Sequence, residues 1–202
     1  MTRLLIVGTG GMAAHHAAGF QAIPGVELVA GVDTRPAQLS EFCGRWGIQH
    51  GFTSIDEALA WGEFDAVTNV TPDAAHCPTT LPFLAAGKHV LCEKPLATNA
   101  ADADAMAAAA RAAGVVNMVN LSYRNVAALQ QAAAMVRAGE IGEIRHFEAS
   151  YLQSWLTQDA WGAWDKESQW LWRLSTAHGS KGVLGDVGIH ILDFTTFIAG
   201  LD

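Results

Sequence analysis

The chain has 202 residues, of which 50% are hydrophobic and 16% are charged, and its formal net charge at pH 7 is −8. A chain of this length can bury one sizeable core and begin a second, smaller one. The acidic balance disfavours binding to nucleic acid or to an anionic membrane surface, and no apolar run approaches the roughly 20 residues of a membrane span.

Residues 1–120 alternate between short apolar segments and segments long enough for a helix. This alternation is typical of βαβ units and predicts a parallel sheet covered by helices. The last predicted helix is nearly all alanine, and Thr98 or Asn99 can begin it while Gly114 ends it. The predicted strands are residues 4–7, 26–32, 66–70, 89–92 and 115–119, and the predicted helices are residues 12–22, 36–46, 54–61, 74–86 and 98–113.

A second unit is predicted to begin near residue 121, so that the predicted domains are residues 1–120 and 121–202. A helix is expected at 125–138 and a strand at 143–153, where apolar residues alternate imperfectly. Five of the seven tryptophans lie between residues 155 and 172. Tryptophans among polar residues suit the wall of a binding pocket or an interface, although ordinary packing accounts for them equally well.

The amino terminus and the cysteines both favour a protein of the cytoplasm. Residues 1–20 have the apolar run of a weak secretory signal, but Gly8, Gly10 and Gly11 interrupt it, which favours a strand followed by a turn. The three cysteines form no C-x-x-C pair, which favours buried thiols in a reducing compartment. The histidines show no metal-ligand spacing, and no metal is predicted.

Residues 4–13 indicate a strand that runs into a glycine-rich turn and then opens a helix, L-L-I-V-G-T-G-G-M-A. In a G-x-G-x-x-A turn, Gly8 permits the tight bend, Gly10 lets the backbone approach a pyrophosphate, and Ala13 lets the helix pack closely on the sheet. The first N–H groups of the helix then face the anion. A turn without a ligand is the less favoured interpretation. The predicted cofactor contacts in this turn are Gly8, Thr9, Gly10, Gly11 and Met12.

The end of the second predicted strand bears on the choice between NAD and NADP. Asp33 stands 25 residues after Gly8, where an acidic side chain accepts hydrogen bonds from an adenosine ribose. Arg35 is suited to contact a 2′-phosphate instead. NAD is therefore the preferred cofactor and NADP remains possible, and Asp33, Thr34 and Arg35 are predicted to line this part of the site.

Polar residues also follow two later strands, and the ligands of open α/β sheets lie at the carboxyl ends of the strands. Lys94 can reach a substrate hydroxyl beside the nicotinamide, and a nearby charge can tune its proton affinity for acid–base work. The alternative is a surface ammonium group that pairs with Glu93. The residues predicted to line the cofactor site from these strand ends are Asn69, Thr71, Pro72, His76, Glu93 and Lys94.

The segment G-D-V-G-I-H-I-L-D places Asp186, His190 and Asp193 on one face if it is helical. A carboxylate one turn away can orient the imidazole, which then exchanges a proton with a carbinol oxygen. Asp193 either helps to orient the ring or caps the helix. Taken alone, D-x-x-x-H is more often a structural pair or part of a metal site, and the presence of Lys94 is what favours catalysis.

Four motifs together resemble the Gfo/Idh/MocA oxidoreductases. They are G-T-G-G-M with His16 on the first helix, Thr71-Pro72, A-G-K-H-V-L-C-E-K-P-L at 86–96 and G-x-L-G-D-V-G-x-H-x-x-D at 182–193. The resemblance implies an α/β fold, in which an NAD(P)-binding Rossmann domain with a doubly wound parallel sheet is followed by the beginning of an α/β substrate domain with an open sheet. It also implies that Lys94, Asp186 and His190 form the catalytic group.

Members of that family continue well beyond the catalytic histidine, so the resemblance implies a chain truncated at its carboxyl end and a homo-oligomer when full length. Lys181 stands where a glycine-rich turn is usual, so substrate contacts at that turn are expected to differ from those of relatives. The residues predicted to bind substrate are Lys94, Tyr123, Arg124, Trp172, Arg173, Lys181, Asp186 and His190.

These residues predict reversible hydride transfer between a nicotinamide and a carbinol carbon of a sugar, an inositol or a related polyol. His190 is the expected base, Lys94 assists at the oxygen, and Asp186 orients His190. Two alternatives stay open: redox-assisted cleavage of a glycosidic bond by a tightly bound cofactor, and a non-catalytic nicotinamide-binding regulatory protein. The predicted partner is a small-molecule substrate.

Overall fold

The computed structural model describes residues 1–154, 157–158, 162–178 and 180–201, but not the side chains of residues 168, 169, 172 and 178. The chain divides into two compact units, Met1–Asn120 and Leu121–Asp202. Within the described ranges, no helix is both long enough and apolar enough to cross a membrane.

The first unit is a six-stranded parallel sheet with helices between successive strands, which confirms the predicted Rossmann architecture. The strand order is β3-β2-β1-β4-β5-β6, so the order reverses between β1 and β4, where open α/β sheets bind their ligands. The strands are β1 (Thr2–Val7), β2 (Val26–Val32), β3 (His50–Phe52), β4 (Ala66–Asn69), β5 (His89–Cys92) and β6 (Asn117–Val119), and the helices are α1 (Gly11–Gln21), α2 (Pro36–Trp46), α3 (Ile55–Trp61), α4 (His76–Ala85) and α5 (Ala100–Ala113).

Local signals at the helix ends explain why the predicted helices form where they do. The Asn99 side chain accepts a hydrogen bond from the backbone N–H of Asp102 and so caps α5, and Gly114 ends that helix in the left-handed conformation. Ser54 and Glu57 form a reciprocal capping box at the start of α3. The nearly all-alanine segment is therefore an ordinary helix.

The strand β3 is absent from the predicted elements. It consists of His50, Gly51 and Phe52, which pair with Ala30–Val32 of β2 at the edge of the sheet. Three residues are too few to show an alternation of apolar and polar side chains. Pairing with β2, and not a local sequence pattern, therefore determines this strand.

The second unit contains helices α6 (Ala127–Arg137), α7 (Ser168–Leu174) and α8 (Ile189–Ala199), with a π-helical turn at Leu184–Gly188 directly before α8. The strand predicted at 143–153 is wrong, because the backbone of these residues is irregular. A strand requires hydrogen-bonded neighbours, and no described residue after 120 forms one. The open sheet of a substrate domain is accordingly not seen in the described part of this unit.

Candidate active site

The glycine-rich turn joins β1 to α1. Gly8 has a φ of +86°, and a Cβ atom there would lie 3.0 Å from the carbonyl oxygen of Val70. A Cβ atom at Gly10 would have no heavy atom within 4 Å, so this position opens into space that a ligand can use. No side chain caps the start of α1, which leaves its first N–H groups to an anion.

A cavity of about 220 Å³ lies against this turn. Its walls come from the turn and from one face of α2. The lining residues are Thr9, Gly10, Gly11, Ala14, Gln38, Glu41, Phe42 and Arg45. Met12, predicted as a contact from the sequence, is exposed in the first turn of α1.

Gly8→Ala is expected to lower the free energy of unfolding by about 1–2 kcal/mol, because an L-residue is strained at this φ and its methyl group meets the backbone after β4. Gly10→Ala is the matched control, since its φ of −78° suits any residue. We expect Gly10→Ala to keep its stability in urea unfolding but to weaken NADH binding. Equal stability of the two variants would contradict this account of the turn.

Asp33 links the end of β2 to the same turn. Its Oδ2 accepts hydrogen bonds from the backbone N–H of Thr9 at 2.9 Å and from the Thr9 hydroxyl at 2.8 Å, and Arg35 Nε donates to Oδ1 at 3.1 Å. Burial alone would raise the pKa of Asp33, but the hydrogen bonds from Arg35 and Thr9 lower it to about 2. A fixed negative charge therefore stands at this edge of the site. Thr34 is exposed beside it, and the Arg35 side chain is 64% exposed.

Asn69 and His76 are buried beneath the loop that follows β4. Asn69 Nδ2 donates to Thr79 Oγ1 at 2.7 Å and Thr80 Oγ1 at 2.9 Å, while its Oδ1 accepts from the Thr71 hydroxyl at 2.7 Å. The ring of His76 is 1% exposed. Both side chains thus support the loop from the protein interior and do not present a surface to a cofactor. Thr71 is half-buried, and Pro72 is exposed.

Glu93 is buried directly before Lys94. Its Oε1 accepts from Asn120 Nδ2 at 2.6 Å and from His16 Nε2 at 2.9 Å, and its Oε2 accepts from the backbone N–H of Lys94 at 3.1 Å. Burial would raise the pKa of Glu93, but the hydrogen bonds from His16 and Asn120 hold it below its usual value. Glu93 therefore acts on the backbone of Lys94, and its placement does not support the prediction that it contacts the cofactor directly.

His16 and Asn120 are the supporting residues whose part in this network was not predicted. Asn120 directly follows β6, so the rule that selected Asn69 and Glu93, a polar residue at the carboxyl end of a strand, would also have selected it. The partners of His16 are Thr68, Glu93 and Asn120, which lie 52, 77 and 104 residues away in the chain, and nothing local identifies them.

In the second unit, Asp186 lies on the π-helical turn and its side chain is 2% exposed. Arg173 Nε donates to Asp186 Oδ1 at 2.6 Å. Asp186 also lines a cavity of about 260 Å³. The other lining residues are Tyr151, Leu152, Gln153, Leu174, Val183 and Val187. A π-helical turn changes the register of a helix and is frequent at functional sites.

His190 is buried near the start of α8, and the centroid of its ring lies 4.3 Å from that of Tyr123. The hydroxyl groups of Tyr123 and Tyr151 are 2.8 Å apart. This hydrogen bond, burial and the charge of Asp186 raise the pKa of Tyr123 to about 12. The structure thus brings together the predicted residues Tyr123, Asp186 and His190 and adds Tyr151, which lies in the segment predicted as a strand.

The remaining predicted substrate residues differ in their surroundings. Arg124 donates to Asp193 Oδ1 from Nε at 2.8 Å and from Nη2 at 2.7 Å, so Asp193 has an ion-pair partner that the helical spacing did not predict. Lys181 is exposed. Trp172 lies in α7, but its side chain is outside the described part of the chain, as are Trp155 and Trp161. Among described residues, no three His, Cys, Asp or Glu side chains cluster as metal ligands.

Two family models match the chain. Residues 2–121 match the oxidoreductase family with an NAD-binding Rossmann fold, Gfo/Idh/MocA. Residues 129–202 match a Gfo/Idh/MocA C-terminal domain.

Curated proteins and solved structures show the same likeness. The chain is 33% identical to 1,5-anhydro-D-fructose reductase of Ensifer adhaerens over 205 residues, covering 100% of this chain and 58% of that protein. It is 28% identical to levoglucosan dehydrogenase of Pseudarthrobacter phenanthrenivorans, covering 89% of this chain and 44% of that protein. The structure of an oxidoreductase domain protein from Kribbella flavida superposes with a TM-score of 0.86 at 34% identity, covering 99% of this chain and 55% of that one. The chain thus spans about half the length of the relatives it matches.

Proposed function

The chain belongs to the Gfo/Idh/MocA oxidoreductase family, and on that premise we propose that it is part of an NAD(P)-dependent dehydrogenase of sugars, inositols or related polyols. Relatives named for such activities include levoglucosan dehydrogenase, scyllo-inositol 2-dehydrogenase (NADP(+)) of Bacillus subtilis and D-glucoside 3-dehydrogenase of Escherichia coli. The observation that carries the proposal within this chain is the placement of Lys94, directly after β5 and anchored through the buried Glu93.

The proposed roles follow from the chemistry of the side chains. Gly8, Gly10 and the start of α1 would hold the cofactor, and its nicotinamide would supply the acceptor for the hydride of the carbinol carbon. His190 takes the hydroxyl proton as the carbon–oxygen double bond forms, and the Lys94 ammonium group stabilises the negative charge that develops on the oxygen. Asp186, held by Arg173, is the carboxylate proposed to orient His190. Lys94 belongs to the first unit, and Asp186 and His190 belong to the second.

We propose NAD as the preferred cofactor. The ionised Asp33 repels a 2′-phosphate, whereas the exposed guanidinium group of Arg35 attracts one. Arg35→Ala is therefore expected to weaken NADPH binding about tenfold more than NADH binding. Fluorescence titration with both cofactors measures this ratio, and Arg111→Ala, on the exposed side of α5, is the control. If Arg35→Ala weakened the binding of NADH and NADPH equally, Arg35 would not contact the 2′ position of the ribose.

We further propose a cytoplasmic, homo-oligomeric full-length protein with a small-molecule substrate. The described cysteines, Cys43, Cys77 and Cys92, are all free and buried, which suits a reducing compartment. Sedimentation of the purified protein tests the oligomeric state.

The function is tested by titrating the purified chain with NADH and NADPH and then following absorbance at 340 nm across a panel of sugars and polyols. Cofactor binding with polyol-dependent NADH formation is the expected result. Glycoside cleavage without net NADH formation would replace the proposal with the redox-assisted hydrolase. Cofactor binding without any reaction would favour a regulatory protein.

A further inference from the structure

The segment that carries Lys94 is held on both sides by buried histidines. On one side, Glu93 bonds the backbone N–H of Lys94 and is itself bonded by His16. On the other side, the ring of His76 contacts the carbonyl oxygen of Pro95 at 2.7 Å. The main chain is therefore anchored immediately before and immediately after the Lys94 side chain.

The contacts of His16 identify which ring nitrogen carries the proton. The Glu93 carboxylate only accepts hydrogen bonds, so His16 Nε2 carries a hydrogen. His16 Nδ1 lies 2.7 Å from the Thr68 hydroxyl, which can donate to it. A neutral ring thus satisfies the contacts with Glu93 and Thr68, with one nitrogen donating and the other accepting. Asn120 Nδ2 also lies 3.4 Å from His16 Nε2, but it donates to Glu93 Oε1 at 2.6 Å.

The contacts of His76 differ in kind. Its Nδ1 faces the carbonyl oxygen of Pro95, and its Nε2 faces the carbonyl oxygen of Thr71 at 2.8 Å. Carbonyl oxygens only accept, so both contacts are complete only when both ring nitrogens carry hydrogen. His76 therefore links the loop after β4 to the segment after β5: a ring with one hydrogen donates to one of the two carbonyl oxygens, and a ring with two hydrogens donates to both.

We propose that His16 and His76 are positioning residues that together fix the backbone on either side of Lys94. The proposal rests on the role of Lys94 in the proposed reaction and names the residues that maintain its position. Neither ring needs to reach the substrate, since both lie in the interior and act through Glu93 and Pro95. A misplacement of about 1 Å at a reacting group can cost about 100-fold in rate.

Glutamine distinguishes the two positions. A glutamine amide has one accepting and one donating end, so His16→Gln can reproduce the contacts of His16, whereas His16→Leu cannot. His76→Gln presents only one donating end to two carbonyl oxygens and loses part of the bridge. We expect His16→Leu and His76→Gln to lower kcat at least about tenfold. The Kd of these variants for NADH is expected to stay within about twofold of that of the unchanged chain. We expect His16→Gln to recover most of the kcat that is lost in His16→Leu.

Hydrogen exchange of the Lys94 amide provides a second readout that needs no turnover. Measured by NMR, this exchange is expected to quicken in His16→Leu and to remain slow in His16→Gln. His15, which is exposed on the same helix, provides the control His15→Leu. The inference is overturned if His16→Leu exchanges like His15→Leu, or if His16→Gln is impaired as much as His16→Leu. If the chain oxidises no polyol, the proposed function fails and this exchange measurement still decides the inference.

Discussion

Replacing His190 with alanine is expected to lower kcat for polyol oxidation by about 100- to 10,000-fold, the range that a general base contributes. The ring is buried beside Tyr123 near the start of α8, so its removal takes away the proposed proton acceptor. Because His190 lies outside the Rossmann unit, the Kd for NADH is expected to stay within about twofold. Steady-state kinetics and cofactor titration of one preparation measure both quantities.

Two further variants distinguish the loss of a catalytic group at His190 from a loss of structure in the second unit. His146 is exposed in the same unit, and His146→Ala is expected to retain full turnover. His190→Asn keeps a polar side chain of similar reach but cannot accept a proton at neutral pH, so it is expected to lose nearly as much activity as His190→Ala. Turnover of His190→Ala equal to that of His146→Ala would reject the assigned base.

Tyr123 is the nearest rival for the role of base, and its surroundings exclude it. The hydrogen bond to Tyr151, burial and the nearby Asp186 raise the pKa of Tyr123 to about 12, so its hydroxyl group keeps its proton at neutral pH. It can hydrogen-bond a substrate or Tyr151, but it does not take a proton from a carbinol. His190 therefore remains the proposed proton acceptor.

The parts of the fold predicted correctly depend on local pattern. The turn from β1 to α1 has its glycines at fixed spacing, and the residues that cap α5, Asn99 and Gly114, are recognisable by residue type. The errors concern features that depend on distant partners. The edge strand β3 has no pattern of its own, and residues 143–153 have no strand neighbour in the described part of the chain.

The same distinction applies to the candidate site. Residue types at strand ends led to Asp33, Lys94 and Glu93, but the pattern could not show which side chains face the ligand and which face the interior. Glu93 belongs to the interior network, although it is adjacent to Lys94 in sequence. Likewise, the spacing of Asp186 and Asp193 indicated a shared helical face, whereas each carboxylate pairs with a separate arginine.

Arg124→Leu is expected to lower the free energy of unfolding of the second unit by about 3 kcal/mol. The side chain of Asp193 is 4% exposed, and Arg124 contacts one of its oxygens through two nitrogens. Removing the arginine leaves a buried carboxylate without this cation, which costs more than the pair itself contributes. Five of the seven tryptophans lie in residues 155–172, so tryptophan fluorescence during urea unfolding reports mainly on this unit.

The double variant Arg124→Leu with Asp193→Leu decides between a structural pair and a substrate ligand. If the pair is structural, removing both charges recovers most of the stability lost in Arg124→Leu, because no buried charge remains. If Arg124 instead binds substrate, as its sequence position predicted, Arg124→Leu raises KM with little loss of stability, and the second substitution restores nothing. The guanidinium group of Arg124 also lies over the ring of Phe197, 5.1 Å from its centroid. Arg124→Lys therefore separates the contribution of the positive charge from that of the planar guanidinium group, because lysine keeps the charge but loses the paired nitrogens. We expect Arg124→Lys to fall between the unchanged chain and Arg124→Leu in stability.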